Sequence, residues 1–181
     1  MKDGRNINAV VAAFNPYDVN HVAFVTEDLF SESRSMNDTD TNSGGWRDCS
    51  MRTYLNRDVF SLLPDDLQSV ITERRIVQSK DGVEMISSDK LWLLSCTEIG
   101  EYCITDTEDV HFPLFKDQRS RVKQEDGSTW WYWLRTPYTC SDKDETGVKA
   151  NCTYFYFVTD GGYTMGNAAS YCHGVAFGFM I

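Results

Sequence analysis

"WWYWLRTP", Trp130–Pro137, places three tryptophans within four positions and follows them with an arginine and a proline. Aromatics this dense either stack on a ligand or fill a core, and burial of large rings dominates core energetics. Strand alternation would set Trp131 and Trp133 on one face and Trp130 and Tyr132 on the other. Arg135, between an apolar strand and Pro137, is placed to hydrogen-bond nearby carbonyls or carboxylates and pin a loop. The stretch is expected to be scaffold that holds up a binding surface.

On its C-terminal side, "YFYFVTDGG" (154–162) and "GVAFGFMI" (174–181) are further aromatic and β-branched runs separated by Gly-rich and polar segments. With 130–135 they have the pattern of an antiparallel sheet, and "TDGG" suits a hairpin turn. On the N-terminal side, "HVAFVTEDLF" (21–30) reads as a strand with Val22, Phe24 and Leu29 inward, followed by a polar loop over 31–45. Met51, Tyr54 and Leu55 fall at helical spacing, predicting a helix over about 48–56 with Asp48 as its N-cap. A second helix should begin at Pro64, with Asp65 and Asp66 at its positive end and Leu67, Val70 and Ile71 as its apolar face. "ERRIVQS" starts a strand, and "DKLWLLSCTEIG" (89–100) reads as a buried strand running into a short turn, with Leu91, Leu93 and Leu94 in the core. Residues 100–128 read as a long loop region, with "FPLF" tucked onto the core. Early helices and a late sheet make one α+β domain over the 181 residues.

The formal charge of −10 argues against nucleic acid as a partner, and no apolar run approaches the length of a membrane span. The N-terminal stretch is too weakly apolar for a secretory signal. Phosphate-loop, GxSxG, HExxH and EF-hand patterns are absent, and no cysteine or histidine spacing suits zinc, so no cofactor and no metal is expected. "SDKDE" (141–145) offers carboxylates to calcium through Asp142, Asp144 and Glu145, but its order fits a solvated loop better. The six cysteines are expected to be free thiols.

Five stretches in order resemble a bacterial and phage domain family with a C-type-lectin-like fold, some of whose members are variable proteins of diversity-generating retroelements. They are "TNSGGW" with "MRTYLN" (41–56), "LLPDDLQSVI" (62–71), "DKLWLLSCTEI" (89–99), "WLRTP" (133–137) and "GVAFGF" (174–179). The resemblance implies two helices packed on small antiparallel sheets with long irregular loops. It makes Trp46, Arg52, Trp131, Trp133 and Arg135 framework. Three departures stand out: Cys49 replaces a small hydroxyl residue, Thr136 replaces Ser, and the tryptophan run is longer.

The same resemblance implies a diversifiable surface that binds a protein or glycan ligand without catalysis, in phage–host or cell-surface recognition. Tyr138, Tyr154, Tyr156, Tyr163, Asn167, Ser170, Tyr171 and His173 are the expected ligand-binding residues. Tyrosines among Ser, Gly and Asn give broad contact at low rotamer cost, as in antibody loops. From Thr153 to His173 only Met165 lies outside the residues that an adenine-mutagenised AAC codon can reach. Two other functions compete. A calcium-dependent lectin would need the Glu-Pro-Asn, Gln-Pro-Asp or Trp-Asn-Asp triplets that are missing here. A relative of the formylglycine-generating oxidases would need reactive thiols, for which Cys140, Cys152 and Cys172 are the candidates.

Overall fold

The computed structural model describes residues 1–18, 20–139 and 150–181. The strands are β1 (Ala9–Phe14), β2 (Val22–Thr26), β3 (Phe30–Arg34), β4 (Arg74–Lys80), β5 (Val83–Asp89), β6 (Trp92–Leu93) and β7 (Lys123–Glu125). They continue as β8 (Ser128–Trp130), β9 (Tyr132–Pro137), β10 (Tyr154–Val158), β11 (Thr164–Ala168), β12 (His173–Val175) and β13 (Phe177–Met180). Four strands form one sheet in the order β1-β2-β13-β6, and five form another in the order β11-β10-β9-β12-β3. β4 pairs with β5 and β7 with β8 as separate hairpins. The architecture is mixed α+β, dominated by small sheets.

The helical part is α1 (Ser50–Tyr54), which passes through a π-helical turn (Leu55–Val59) into α2 (Phe60–Leu62), then α3 (Asp65–Val70). Met51, Leu55 and Val59 are fully buried, so this helix docks through one face. Its N-cap is Cys49, whose sulfur accepts from the Arg52 N–H at 3.4 Å, and not Asp48. Asp48 instead pairs with the neighbouring Arg47 at the surface. Val70, expected on the apolar face of α3, is 46% exposed, because the helix ends at that residue and buries only Ile71 beyond it.

Three further expectations are corrected. In β2 the inward residues are Ala23 and Val25, while Val22 and Phe24 are half-buried. Phe24 stacks on Phe179 at 5.4 Å across the opposite face, so the larger ring covers the sheet from outside the core. Residues 31–34, expected as loop, belong to β3, which pairs with β12. The last segment divides at Ala176 into β12 and β13, which belong to different sheets. β12 lies parallel to β9, not antiparallel, with Gly174 opposite Tyr132. A side chain at Gly174 would meet Leu29 at 2.6 Å and the Trp131 carbonyl at 2.9 Å, so this crossing requires glycine.

Alternation also fails in β9, where all six residues are buried. A central strand covered on both faces carries no period of two. Trp131 precedes this strand and is 42% exposed, so it does not share the buried environment of Trp133. The hairpin turn expected at 159–162 is present: the Thr159 N–H donates to the Tyr163 carbonyl, and Gly162 sits at φ +81°.

Candidate ligand-binding site

Under the sheets lies a polar network that fixes their relative position. Arg135 donates through Nη1 to the Leu93 carbonyl and to Glu98 Oε2, each at 2.6 Å, and through Nη2 to Asp109 Oδ2 at 2.5 Å. Arg74 completes a ring of charges by bridging Glu98 and Asp109. Tyr17, at φ 61°, donates its hydroxyl to Glu98 Oε1 at 2.5 Å. Burial pushes the Glu98 carboxyl up, but the guanidiniums of Arg135 and Arg74 outweigh it and hold the group at about 2. Two arginines facing two carboxylates leave no net buried charge, which is the condition for tolerating such a cluster. Arg135 therefore makes the carbonyl and carboxylate bonds its position suggested. A cleft of about 550 Å³ opens over this network, bordered by Tyr17, His21, Arg74 and Glu108.

A second anchor is Asp89. Its Oδ2 accepts from the Trp46 indole at 3.0 Å and from Ser87 at 2.6 Å, and its Oδ1 accepts from Arg52 Nε at 2.5 Å. Trp46 is fully buried. Glu98, Asp109 and Asp89 were not singled out from the sequence. The available signal was an acid inside or beside an apolar run, as in "LLSCTEI", since a charge buried there must be paired.

The eight residues expected to form one binding face are divided between the two sides of the five-stranded sheet. Tyr154 and Tyr156 of β10 are half-buried on one side. Tyr138 joins them, stacked on Tyr156 at 4.1 Å and set edge-on to Tyr154 at 6.0 Å. The ring of Tyr138 covers Gly166, where a Cβ would lie 2.4 Å from it. Asn167 lies opposite Phe155, on the other side. There its amide meets His173 Nε2 at 3.1 Å, and His173 packs against Phe157 at 4.7 Å and Trp133 at 4.4 Å. Ser170 and Tyr171 occupy the turn between β11 and β12, and Tyr163 the turn before β11; Tyr163 and Tyr171 are 62% and 58% exposed. The physical reason for the split is the two-residue period of β10 and β11.

On the Asn167 side a groove of about 440 Å³ is lined by Thr129, Trp130, Trp131, Asp160, Cys172 and His173. Trp131 stacks on Phe157 at 5.2 Å and donates its indole N–H to Asp160 at 3.3 Å, which fixes the ring while leaving it open to solvent. His173 is buried at the base of the groove, and desolvation lowers its pKa to about 4, so the ring is neutral at physiological pH. A rigid indole, a carboxylate and a neutral imidazole can together receive a flat or partly apolar ligand that also offers hydrogen-bond donors.

Among the described cysteines, Cys152 is disulfide-bonded, which corrects the expectation of free thiols throughout. Cys49, Cys96, Cys103 and Cys172 are free. Asp142, Asp144, Glu145 and Cys140 lie outside the described residues. Of the cysteines considered as reactive, Cys152 is therefore committed to a disulfide. Cys103, a position not considered from the sequence, has its pKa lowered to about 6, by the Cys96 thiol first and then by hydrogen bonds from Thr105.

The profile of a domain of unknown function, DUF6273, matches residues 20–175. The chain belongs to the DUF6273 family. No curated protein and no solved structure gives a significant match. The span matched to DUF6273 runs from just before β2 to the end of β12, and so contains the groove, the Asp89 anchor and all of the Arg135 network except Tyr17. β1 and β13 lie outside it, yet both are hydrogen-bonded to β2 and complete the four-stranded sheet.

Proposed function

We propose that this DUF6273 domain is a non-enzymatic ligand-binding module with a C-type-lectin-like fold, and that a protein or glycan ligand occupies the Trp130–Trp131 groove. One observation carries this reading. Trp46, Trp92 and Trp133 are fully buried, whereas Trp130 and Trp131 are 52% and 42% exposed, adjacent, and at the mouth of a groove. Exposed, pre-oriented tryptophans are the side chains most enriched among residues that dominate binding energy. The fold reading is supported by the first and last strands sharing one sheet, by the long irregular segments and by the buried "WLRTP" strand.

The groove reassigns part of the expected surface. Tyr163, Asn167, Tyr171 and His173 remain at or near it, joined by Trp130, Trp131 and Asp160, while Tyr138, Tyr154 and Tyr156 belong to the reverse side. Tyr163 and Tyr171 are exposed at the β10–β11 turn and the β11–β12 turn, positions that can vary without disturbing buried contacts. That arrangement suits a diversified surface. Neighbouring DNA carrying a reverse transcriptase and a near-copy of the 3′ coding region, differing mainly at adenines, would support the retroelement relationship.

The test is a panel of displayed peptides and arrayed glycans, probed with the wild type and with Trp131→Ala. Ligands recovered by the wild type should lose at least ten-fold affinity in the variant while its melting temperature stays nearly constant. Unchanged binding by Trp131→Ala would remove the groove from the proposal. Binding of monosaccharides that chelation abolishes would favour the calcium-dependent lectin instead.

A further inference from the structure

The charge in the Trp131 groove is of one sign. No lysine or arginine lines it, His173 is neutral at its base, and Asp160 supplies a carboxylate. Asp160 is exposed, and its Oδ1 accepts the Trp131 indole N–H at 3.3 Å. Among the described residues, Oδ2 takes no hydrogen bond and no Lys or Arg pairs with it. Basic residues on adjoining elements are committed elsewhere. Lys123 lies opposite Trp130 in the β7–β8 ladder, but its Nζ is buried and donates to the Thr26 and Glu27 carbonyls. Arg119 follows Gln118, whose amide donates to the Gly161 carbonyl at 2.6 Å, and it sits beside Asp117. The hairpin that carries Thr129 and Trp130 also bears Glu125 and Asp126, and the chain as a whole has a formal charge of −10. A cleft lined by one sign of charge concentrates ligands of the other.

The aromatic part of the groove selects among cations. Phe157 covers one face of the Trp131 ring at 5.2 Å, and the Gly174 N–H holds the Trp131 carbonyl at 2.8 Å, so the opposite face is the one available to a ligand. The bond to Oδ1 sets the Asp160 carboxylate at the rim of that ring. A guanidinium is planar, stacks on indole faces and keeps its N–H donors at its edge, where a carboxylate can accept them. An ammonium matches the charge but not the flat contact. An anionic ligand meets repulsion. A neutral sugar can stack and donate to Asp160, but it draws nothing from the surrounding negative charge.

We propose, on the reading that the groove is the ligand site, that its occupant is an arginine side chain presented by a protein partner, with the guanidinium laid on the open face of Trp131 and bonded to Asp160 Oδ2. Tryptophan and arginine are both enriched among the residues that dominate binding energy, and such residues tend to pair across an interface.

The test follows the indole N–H signals of the full chain by NMR as acetyl-arginine amide, its lysine and citrulline counterparts, and lactose are added in turn. Citrulline keeps the shape of arginine and loses the charge. The Trp130 and Trp131 signals, assigned from Trp130→Phe and Trp131→Phe, should move with the arginine probe, while those of the buried Trp46, Trp92 and Trp133 stay in place. The citrulline probe should bind roughly ten-fold more weakly. Asp160→Asn retains an oxygen to hold the indole, and should weaken arginine binding roughly five-fold at an unchanged melting temperature. Raising salt from about 50 to about 500 mM should weaken binding more in the wild type than in that variant. Equal affinity for arginine and either counterpart, or a response to lactose with none to arginine, would overturn the proposal and leave the groove as a binding site of other specificity. Silence of both indoles toward every probe would overturn it as well, and the groove itself would then be judged by whether ligands from the displayed panel lose affinity in Trp131→Ala.

Discussion

The two sides of the five-stranded sheet are built from the same two hairpin strands and differ in what covers them. On one, Phe157 packs against Trp133 and His173, and the outermost ring, Trp131, faces a groove. On the other, Tyr154 and Tyr156 are half-buried beside the Tyr138 ring. The first side has a rigid aromatic floor and an open edge, which suits reversible contact. The second is a small, half-covered cluster of tyrosine rings packed on one another. A single run of alternating tyrosine and phenylalanine therefore serves two unlike environments, and its tyrosines do not face the groove.

Truncations below the groove should have the largest effect. Trp133→Ala should destabilise by about 3–5 kcal/mol, the range for a buried large aromatic. Arg135→Ala should cost a similar amount, about 3–5 kcal/mol, because Glu98 and Asp109 would be left facing one guanidinium instead of two. Chemical denaturation measures both; a loss below about 1 kcal/mol in either would show that this part of the chain is not the support described here. Gly166→Ala comes next and probes the reverse side. Its new methyl would strike the Tyr138 ring, and displacing that ring should cost about 1–3 kcal/mol while leaving groove ligands bound. If groove binding fell with it, the two sides would be coupled.

A pH series separates the sides further. His173 titrates at about 4 in the folded chain against 6.5 for the free group, so folding favours the neutral ring. Its contribution is complete above pH 6.5 and is lost progressively as pH falls toward 4. Stability measured at pH 7 and pH 4.5 should therefore drop less in His173→Gln than in the wild type, and equal drops would contradict the neutral assignment. The smallest expected effect is on stability in Trp131→Ala, about 1 kcal/mol or less, since part of its ring is already in water. A loss comparable to Trp133→Ala would make it core.

The sequence pattern indicated the aromatic strands, the early helix and the Gly162 turn because each rests on local chemistry: ring-rich β runs, helical spacing and a residue that tolerates positive φ. It misplaced Val22 and Phe24 because both faces of β2 carry apolar residues, so alternation alone does not say which face turns inward. It set Trp131 and Trp133 on one face, where both rings do pack on Phe157 and His173, but alternation alone does not tell that Trp131 lies at the open edge of that face. Glu98, Asp109 and Arg135 meet across separations of 26 and 37 residues, which no local pattern encodes.

The amide of Asn42 donates to the Tyr138 carbonyl at 2.9 Å and to the Tyr154 carbonyl at 2.7 Å, and the Tyr138 N–H donates to that same Tyr154 carbonyl. A single side chain thus clasps the two points between which residues 139–153 must run. With both ends of the connection held from outside it, the length of the connection becomes nearly a free variable, since each doubling of a flexible loop costs only about 0.6 kcal/mol. For protein engineering this is a socket. Peptides of differing length could be exchanged there provided that the clasp, the Cys152 disulfide and the backbone bonds from Asn42 to Cys152 and from Ala169 to Thr153 are preserved, and Asn42→Ala would be the change that weakens that joint.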